Sequence, residues 1–158
     1  MKQSFAEILR QEQLKRTSRL EAKLPSWASV PGMELPSDLC LEQCSSESTA
    51  LFKASLLGAP ASMADLTGGI GADCWAFSKV AGKVLYFERN QELAEAAGRN
   101  FQRLGASNIS VSCATTDAAL INALPPQDWI YLDPARRDSA GKKVFLLEDC
   151  TPDVLTLL

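Results

Sequence analysis

Met63-Ala64-Asp65-Leu66-Thr67-Gly68-Gly69-Ile70-Gly71-Ala72-Asp73 is the stretch that decides the fold. A short apolar run delivers an acid, the chain turns on glycines, and a helical pattern begins. Seventeen residues after Gly71, a second apolar run, Val84-Leu85-Tyr86-Phe87, ends in Glu88. This pattern belongs to the ligand end of a doubly wound α/β sheet. Glycines let the backbone approach a bound molecule, and the second acid can accept a ribose hydroxyl pair.

Outward from this stretch, strand and helix patterns alternate. Strands are expected over 61–66, 83–87, 109–112 and 129–132. Between them lie helices from 72 to about 80, over 91–104 (opened by Asn90 and closed by Gly105) and over 117–124, ended by Pro125-Pro126. Short strands joined by helices of this length form parallel sheets with right-handed crossovers, so the expected order is 3-2-1-4. Thr151-Pro152-Asp153 is expected to cap a last helix. Four strands make half a doubly wound sheet. The expectation is a piece of a longer protein, or a sheet completed by another chain, with a dimer through the open sheet edge as one form.

Upstream, Ser4-Phe5-Ala6-Glu7 has capping-box spacing, and Phe5, Ile8 and Leu9 start an apolar face. That helix should reach about Leu24, where Pro25 stops it. Residues 25–44 contain Pro25, Pro31, Gly32 and Pro36 and read as an irregular surface linker. Ser45-Ser46-Glu47-Ser48 then caps a helix through Leu57, closed by Gly58. The division is therefore a helical segment and linker over 1–57, followed by the first half of a Rossmann-like domain over 58–158.

Composition narrows the chemistry. With 46% hydrophobic and 22% charged residues, the chain reads as an ordinary globular domain without a membrane span or signal peptide, expected in the cytoplasm. Five scattered cysteines without a C-x-x-C, and no histidine, speak against a metal site and remove every histidine-based catalytic scheme. The thiols are read as buried or idle. Net charge is −3, unevenly spread. Residues 1–30 hold six basic and three acidic residues, +3, and the rest hold ten basic and sixteen acidic, −6. A basic first helix could touch phosphates, while a solvated face is the plainer reading.

The loop itself discriminates between nucleoside cofactors. A dinucleotide fingerprint needs a third small residue, and Cys74 stands there; Asp65 would also face a pyrophosphate with a negative charge. S-adenosylmethionine has no phosphate and carries a sulfonium and an ammonium. Asp65 can attract that ammonium, directly or through water, backbone N–H groups at Gly69 and Gly71 can lie along the ligand, and Glu88 can take the ribose diol. Asp133-Pro134-Ala135-Arg136-Arg137-Asp138 ends the fourth strand beside the first, facing the same cleft. There the Asp133 carboxylate and Pro134 carbonyl can accept an amine's two N–H bonds, aiming its lone pair at a methyl group. The plainer alternative has Asp133 capping a turn and Arg136 pairing with Asp138 or Glu148.

At these residues the chain resembles class I S-adenosylmethionine-dependent methyltransferases. Asp65–Gly71 resembles their first motif, with Thr67 where many members have glycine; Glu88 matches the second, and Asp133-Pro134-Ala135-Arg136 the fourth. More narrowly, Leu24-Pro25-Ser26-Trp27-Ala28, the run from Leu41 to Ala50 and the run from Leu147 to Asp153 are similar to bacterial methyltransferases with a C-terminal THUMP-like domain. The resemblance implies catalytic roles for Asp133, Pro134 and Arg136. It implies cofactor contacts from Asp65, Thr67, Gly69, Gly71 and Glu88, with Asp117 toward the adenine, and Ser46 and Thr49 toward the methionine carboxylate. It also implies a nitrogen of RNA as acceptor, guanine N2 being a candidate, with RNA gripped by parts outside this chain. Two positions depart from the pattern. Ala135 and Arg136 stand where an aromatic usually stacks the target base, and only Asp117 follows the third strand as an acid. Two other readings remain open: a nicotinamide-dependent oxidoreductase, and a cofactor-binding module without catalysis.

Overall fold

The structure is a computed structural model that describes residues 4–136 and 144–157. The chain opens with α1 (Phe5–Lys23), where the Ser4 side chain and the Glu7 carboxylate cap each other's backbone N–H groups. α2 (Pro25–Ala28), α3 (Asp38–Gln43) and α4 (Glu47–Ser55) follow. The α/β unit is β1 (Ser62–Asp65), α5 (Ala72–Phe77), β2 (Lys83–Glu88), α6 (Gln91–Arg103), β3 (Ile109–Cys113), α7 (Ala118–Ala123) and β4 (Trp129–Tyr131). The sheet is parallel in the order β3-β2-β1-β4, as the alternating pattern predicts.

Side chains alternate across the strands and sort two cores. Met63, Val84, Tyr86 and half-buried Tyr131 pack with α5 and α6 on one face. Ala64, Leu85 and Phe87 face the other way, toward Leu120, Ile121 and Leu124 around α7. The first face carries a further layer from α2, α3 and α4, contributing Trp27, Cys40, Leu41, Ala50 and Ala54. The second face is thinner, and Ile130 of β4 is 47% exposed there.

Three expectations need correction. Residues 25–44 are not a loose linker. Proline at the first position of α2 starts a helical turn as well as ending α1, because its fixed φ suits that position. Trp27 is fully buried, its ring edge-on to Trp75 of α5 at 6.2 Å between centroids. Further along, Glu34 accepts bonds from Arg99 (2.7–2.9 Å) and Arg103 (2.8 Å), and its backbone exchanges two 2.8 Å bonds with the buried Asn100 side chain. The guanidinium groups of Arg99 and Arg103 hold the Glu34 carboxyl down at about 2. The segment is thus fastened to α5 at one end and α6 at the other.

Helix α1 also departs from expectation. Ile8 and Leu9 remain 41% and 48% exposed, so the apolar stripe has no partner among the described residues. Its basic side does: Arg16 and Arg19 pair with Asp38, Arg19 with Glu42, and Lys23 Nζ donates to the carbonyls of Leu41 and Glu42 at 2.7 Å. Arg16, Arg19 and Lys23 thus hold α3 against α1.

The third concerns Thr151-Pro152-Asp153. Thr151 exchanges backbone hydrogen bonds with Ala135 in an antiparallel bridge, which commits the carbonyl a helix cap would need. Asp153 caps only a 3₁₀ turn, Val154–Thr156. All five cysteines are free; Cys40, Cys74 and Cys150 are buried, Cys44 is half-buried and Cys113 is exposed. Among the described residues no helix is long and apolar enough to cross a membrane.

If the segment after α1 is part of the core, Trp27→Ala costs about 3–5 kcal/mol. Urea unfolding should show a lower midpoint at unchanged slope. A midpoint equal to that of the parent chain would mean the segment is only draped over the surface.

Candidate functional site

The crossover reverses direction between β1 and β4, and the carboxyl ends of β1, β2 and β4 open on that switch point. Residues 66–71 form the floor. β2 shapes them with its last three residues. Gly68 N–H donates to the Phe87 carbonyl at 2.8 Å, Gly69 N–H to Glu88 Oε2 at 2.9 Å, and the Tyr86 hydroxyl to the Gly69 carbonyl. The other Glu88 oxygen accepts from Asn90 N–H at 2.8 Å. Gly71 N–H donates to the Gly68 carbonyl at 2.9 Å.

These bonds alter what the glycines are for. A Cβ on Gly68 would lie 2.1 Å from the Tyr86 ring, and one on Gly71 would lie 2.4 Å from Phe101, with φ +95° in addition. Tyr86 and Phe101 meet edge-on at 5.5 Å beneath the loop. Gly68 and Gly71 therefore make room for protein aromatics below. Only Gly69, at φ +54° with nothing within 4 Å, presents open space. The Gly69 and Gly71 N–H groups, expected to lie along a ligand, both have internal acceptors instead. Residue pattern alone could not show this, because the rings come from β2 and α6.

The other expected residues fall into two groups. Asp65, Thr67, Gly69, Gly71, Glu88 and Asp133 come together. Asp65 Oδ1 accepts from Thr67 N–H at 3.1 Å, and Thr67 Oγ1 accepts from Asp133 N–H at 2.7 Å, so Thr67 links the ends of β1 and β4. Pro134 is half-buried; Arg136 is exposed, and Arg137 and Asp138 lie outside the described residues. Asp117, Ser46 and Thr49 act locally. Asp117 caps α7 through Leu120 N–H at 2.8 Å. Ser46 caps α4 and shares a 2.8 Å bond with the Thr49 hydroxyl. Thr116, next to Asp117, is the residue that reaches the floor, its hydroxyl donating to the Leu66 carbonyl.

Asp65 is 1% exposed, and its carboxyl is pushed up to about 7. Burial is the main cause; Asp73, Asp133 and Glu88 add like charge, and the Thr67 N–H opposes the shift. The site holds a carboxyl group whose ionisation is costly until a cation arrives. Among the described residues these acids do not converge into a metal-binding group.

A second group of side chains, unforeseen from the sequence, borders the first. Lys53 of α4 sits against Asp73 and Tyr131, with Ser45 beside them. Helical spacing offered one signal: Lys53 lies four residues after Thr49 and so shares its face.

Against solved structures, a protein designated a methyltransferase from Porphyromonas gingivalis W83 is 37% identical, with a TM-score of 0.74 over 90% of this chain. This chain spans 35% of that protein's length. A protein designated an O-methyltransferase from Klebsiella pneumoniae is 16% identical (TM-score 0.48, 75% of this chain and 54% of that one). The M. jannaschii tRNA m1G37 methyltransferase is 11% identical (0.47, 56% and 27%). The last two likenesses are distant. No protein-family model and no curated protein matches the chain. Strand order and the first likeness together define the class: the four parallel strands have the Rossmann-like methyltransferase fold.

The raised Asp65 carboxyl has a consequence for stability. Its folded value lies above the unfolded one near 4, so the native chain binds the extra proton between them. The contribution of Asp65 to stability is full below about pH 4 and is lost as pH climbs to about 7, then levels. Asp65→Asn keeps the acceptor for Thr67 N–H and removes this loss. Above pH 7 the variant should be more stable to urea than the parent by roughly 2–4 kcal/mol, and the gap should close toward pH 4. A gap independent of pH would show that Asp65 is not a strained buried acid.

Proposed function

We propose that the chain is the cofactor-binding half of an S-adenosylmethionine-dependent methyltransferase acting on a nitrogen of RNA, with guanine N2 a candidate. The observation that carries the cofactor is buried Asp65 beside three further acids. A pyrophosphate would add two negative charges to a place already short of cations, which disfavours the nicotinamide reading. An ammonium ionises Asp65 and pairs with it. Glu88 supports the other end: with one backbone donor on each oxygen, it retains lone pairs for a ribose diol. Such charge-assisted bonds contribute roughly 1.5–3 kcal/mol each.

When bound, S-adenosylmethionine supplies a methyl group on a sulfonium. The chain supplies position. Thr67 Oγ1 fixes the backbone of Asp133 at the end of β4, next to the floor of the site. Held there, the Asp133 carboxylate and Pro134 carbonyl are placed to accept N–H bonds from an incoming amine, leaving its lone pair toward the methyl group. Exposed Arg136 can lie flat on a base in place of an aromatic side chain, and Asp117 retains a carboxylate oxygen for the adenine edge. Ser46 and Thr49 would meet the methionine carboxylate only by giving up their mutual bond. The RNA acceptor and a THUMP-like domain to grip it rest on the resemblance of the motifs, and a cytoplasmic setting rests on the composition.

Titration calorimetry with S-adenosylhomocysteine and with NAD separates the two cofactors. The expected result is binding of the first alone. Affinity should rise up to tenfold per pH unit below 7 and level above it, because binding displaces the Asp65 proton. Binding of NAD alone would overturn the assignment. For the acceptor, radiolabelled methyl transfer by the full-length protein to RNA should fall at least a hundredfold in Asp133→Ala. An unchanged rate would remove the proposed role of Asp133.

A further inference from the structure

Lys53 is where three separately encoded parts of the site meet. Its ammonium donates to the Tyr131 hydroxyl at 2.6 Å, to Ser45 Oγ at 2.9 Å and to Asp73 Oδ2 at 3.2 Å, and it lies 3.2 Å from Asp73 Oδ1. The same ammonium stands 5.1 Å over the Tyr131 ring. Ser45 and Tyr131 also donate to Asp73 Oδ2, at 2.9 and 3.3 Å. Ser45 immediately precedes the α4 cap, Asp73 lies in the first turn of α5 two residues past Gly71, and Tyr131 lies two residues before Asp133. Tyr131 is also the register partner of Asp65.

We propose that Lys53 is a positioning residue: by neutralising Asp73 and holding Tyr131, it locks α4, the start of α5 and the end of β4 into one frame and keeps Asp65 available to a cationic ligand. The proposal rests on the cofactor reading above and adds a part to it. An Asp73 carboxylate that is 12% exposed cannot be left without a counter-charge cheaply. Asp73 is also the strongest of the like charges acting on Asp65. The groups facing Asp65 are Thr67 N–H from its own turn, Asp73 and Cys74 from α5, Glu88 from β2, and Tyr131 and Asp133 from the end of β4. None of these is a cation, and among the described residues Lys53 is the cation that bonds to a member of the set. Burial and the neighbouring acids push the Tyr131 hydroxyl upward, so it stays protonated and acts as a donor to Asp73.

The test follows the pH profile of S-adenosylhomocysteine affinity by calorimetry in four forms of the chain. Lys53→Met leaves Asp73 uncompensated and should move the midpoint up by about one pH unit. Asp73→Asn removes the like charge and should move it down, and this variant decides the matter if Lys53→Met does not fold. The double variant should return toward the parent midpoint. A merely structural Lys53 would lower affinity equally at every pH, and unmoved midpoints in Lys53→Met or Asp73→Asn overturn the proposal. Failure of the parent chain to bind S-adenosylhomocysteine would instead overturn the cofactor reading.

Discussion

The site depends on the fastening of a glycine turn to the end of the neighbouring strand. Tyr86, Phe87 and Glu88 each bond to Gly68 or Gly69, one through a hydroxyl, one through a carbonyl and one through a carboxylate. Consecutive strand residues point to opposite faces, so only a turn crossing the strand's end can meet all three. The arrangement explains why Gly68 and Gly71 must lack a Cβ and why Glu88 is already oriented before any ligand arrives. Preorganisation of this kind reduces the ordering cost of binding.

Against that rigid floor stands an electrostatic tension. Asp65 is buried with one backbone donor, and further acids surround it. Left alone, the site favours a protonated Asp65 and a less stable chain as pH rises. A cationic ligand relieves both. Local strain of this sort, tolerated by a well-packed surrounding, is a mark of a binding site more than of a structural core. Thr67 joins this tension to the neighbouring strand, because its backbone donates to Asp65 and its hydroxyl accepts from the backbone of Asp133.

What could be read from the sequence is what short-range periodicity encodes. The strand order, the acid–glycine turn after β1 and Glu88 at the end of β2 follow from alternating apolar runs and helix caps. What could not be read depends on partners far along the chain. The prolines of 25–44 signalled irregularity, but Trp27 finds Trp75 and Glu34 finds Arg99, and burial and charge pairing override local turn chemistry. Ile8 and Leu9 have helical spacing without a surface to cover among the described residues. The sequence pattern points the glycines toward a ligand, because neither Tyr86 nor Phe101 reveals its neighbour in one dimension. Asp117, Ser46 and Thr49 show the reverse: helix-capping residues satisfied within their own turns, whose further roles need a ligand to draw them out.

The N-terminal helices join this scheme because α4 brings Lys53 to the acids while α2 seals the core behind α5. The turn and its two carboxylates, Asp65 and Glu88, are the centre of the site. Crystals of the chain grown with S-adenosylhomocysteine test it most directly. The nucleoside should lie over Gly69, with both ribose hydroxyls on Glu88, the ammonium end toward Asp65, and the backbone of 67–71 unmoved. Density for the ligand elsewhere, or a turn that has broken from Glu88 to bind it, would contradict the account.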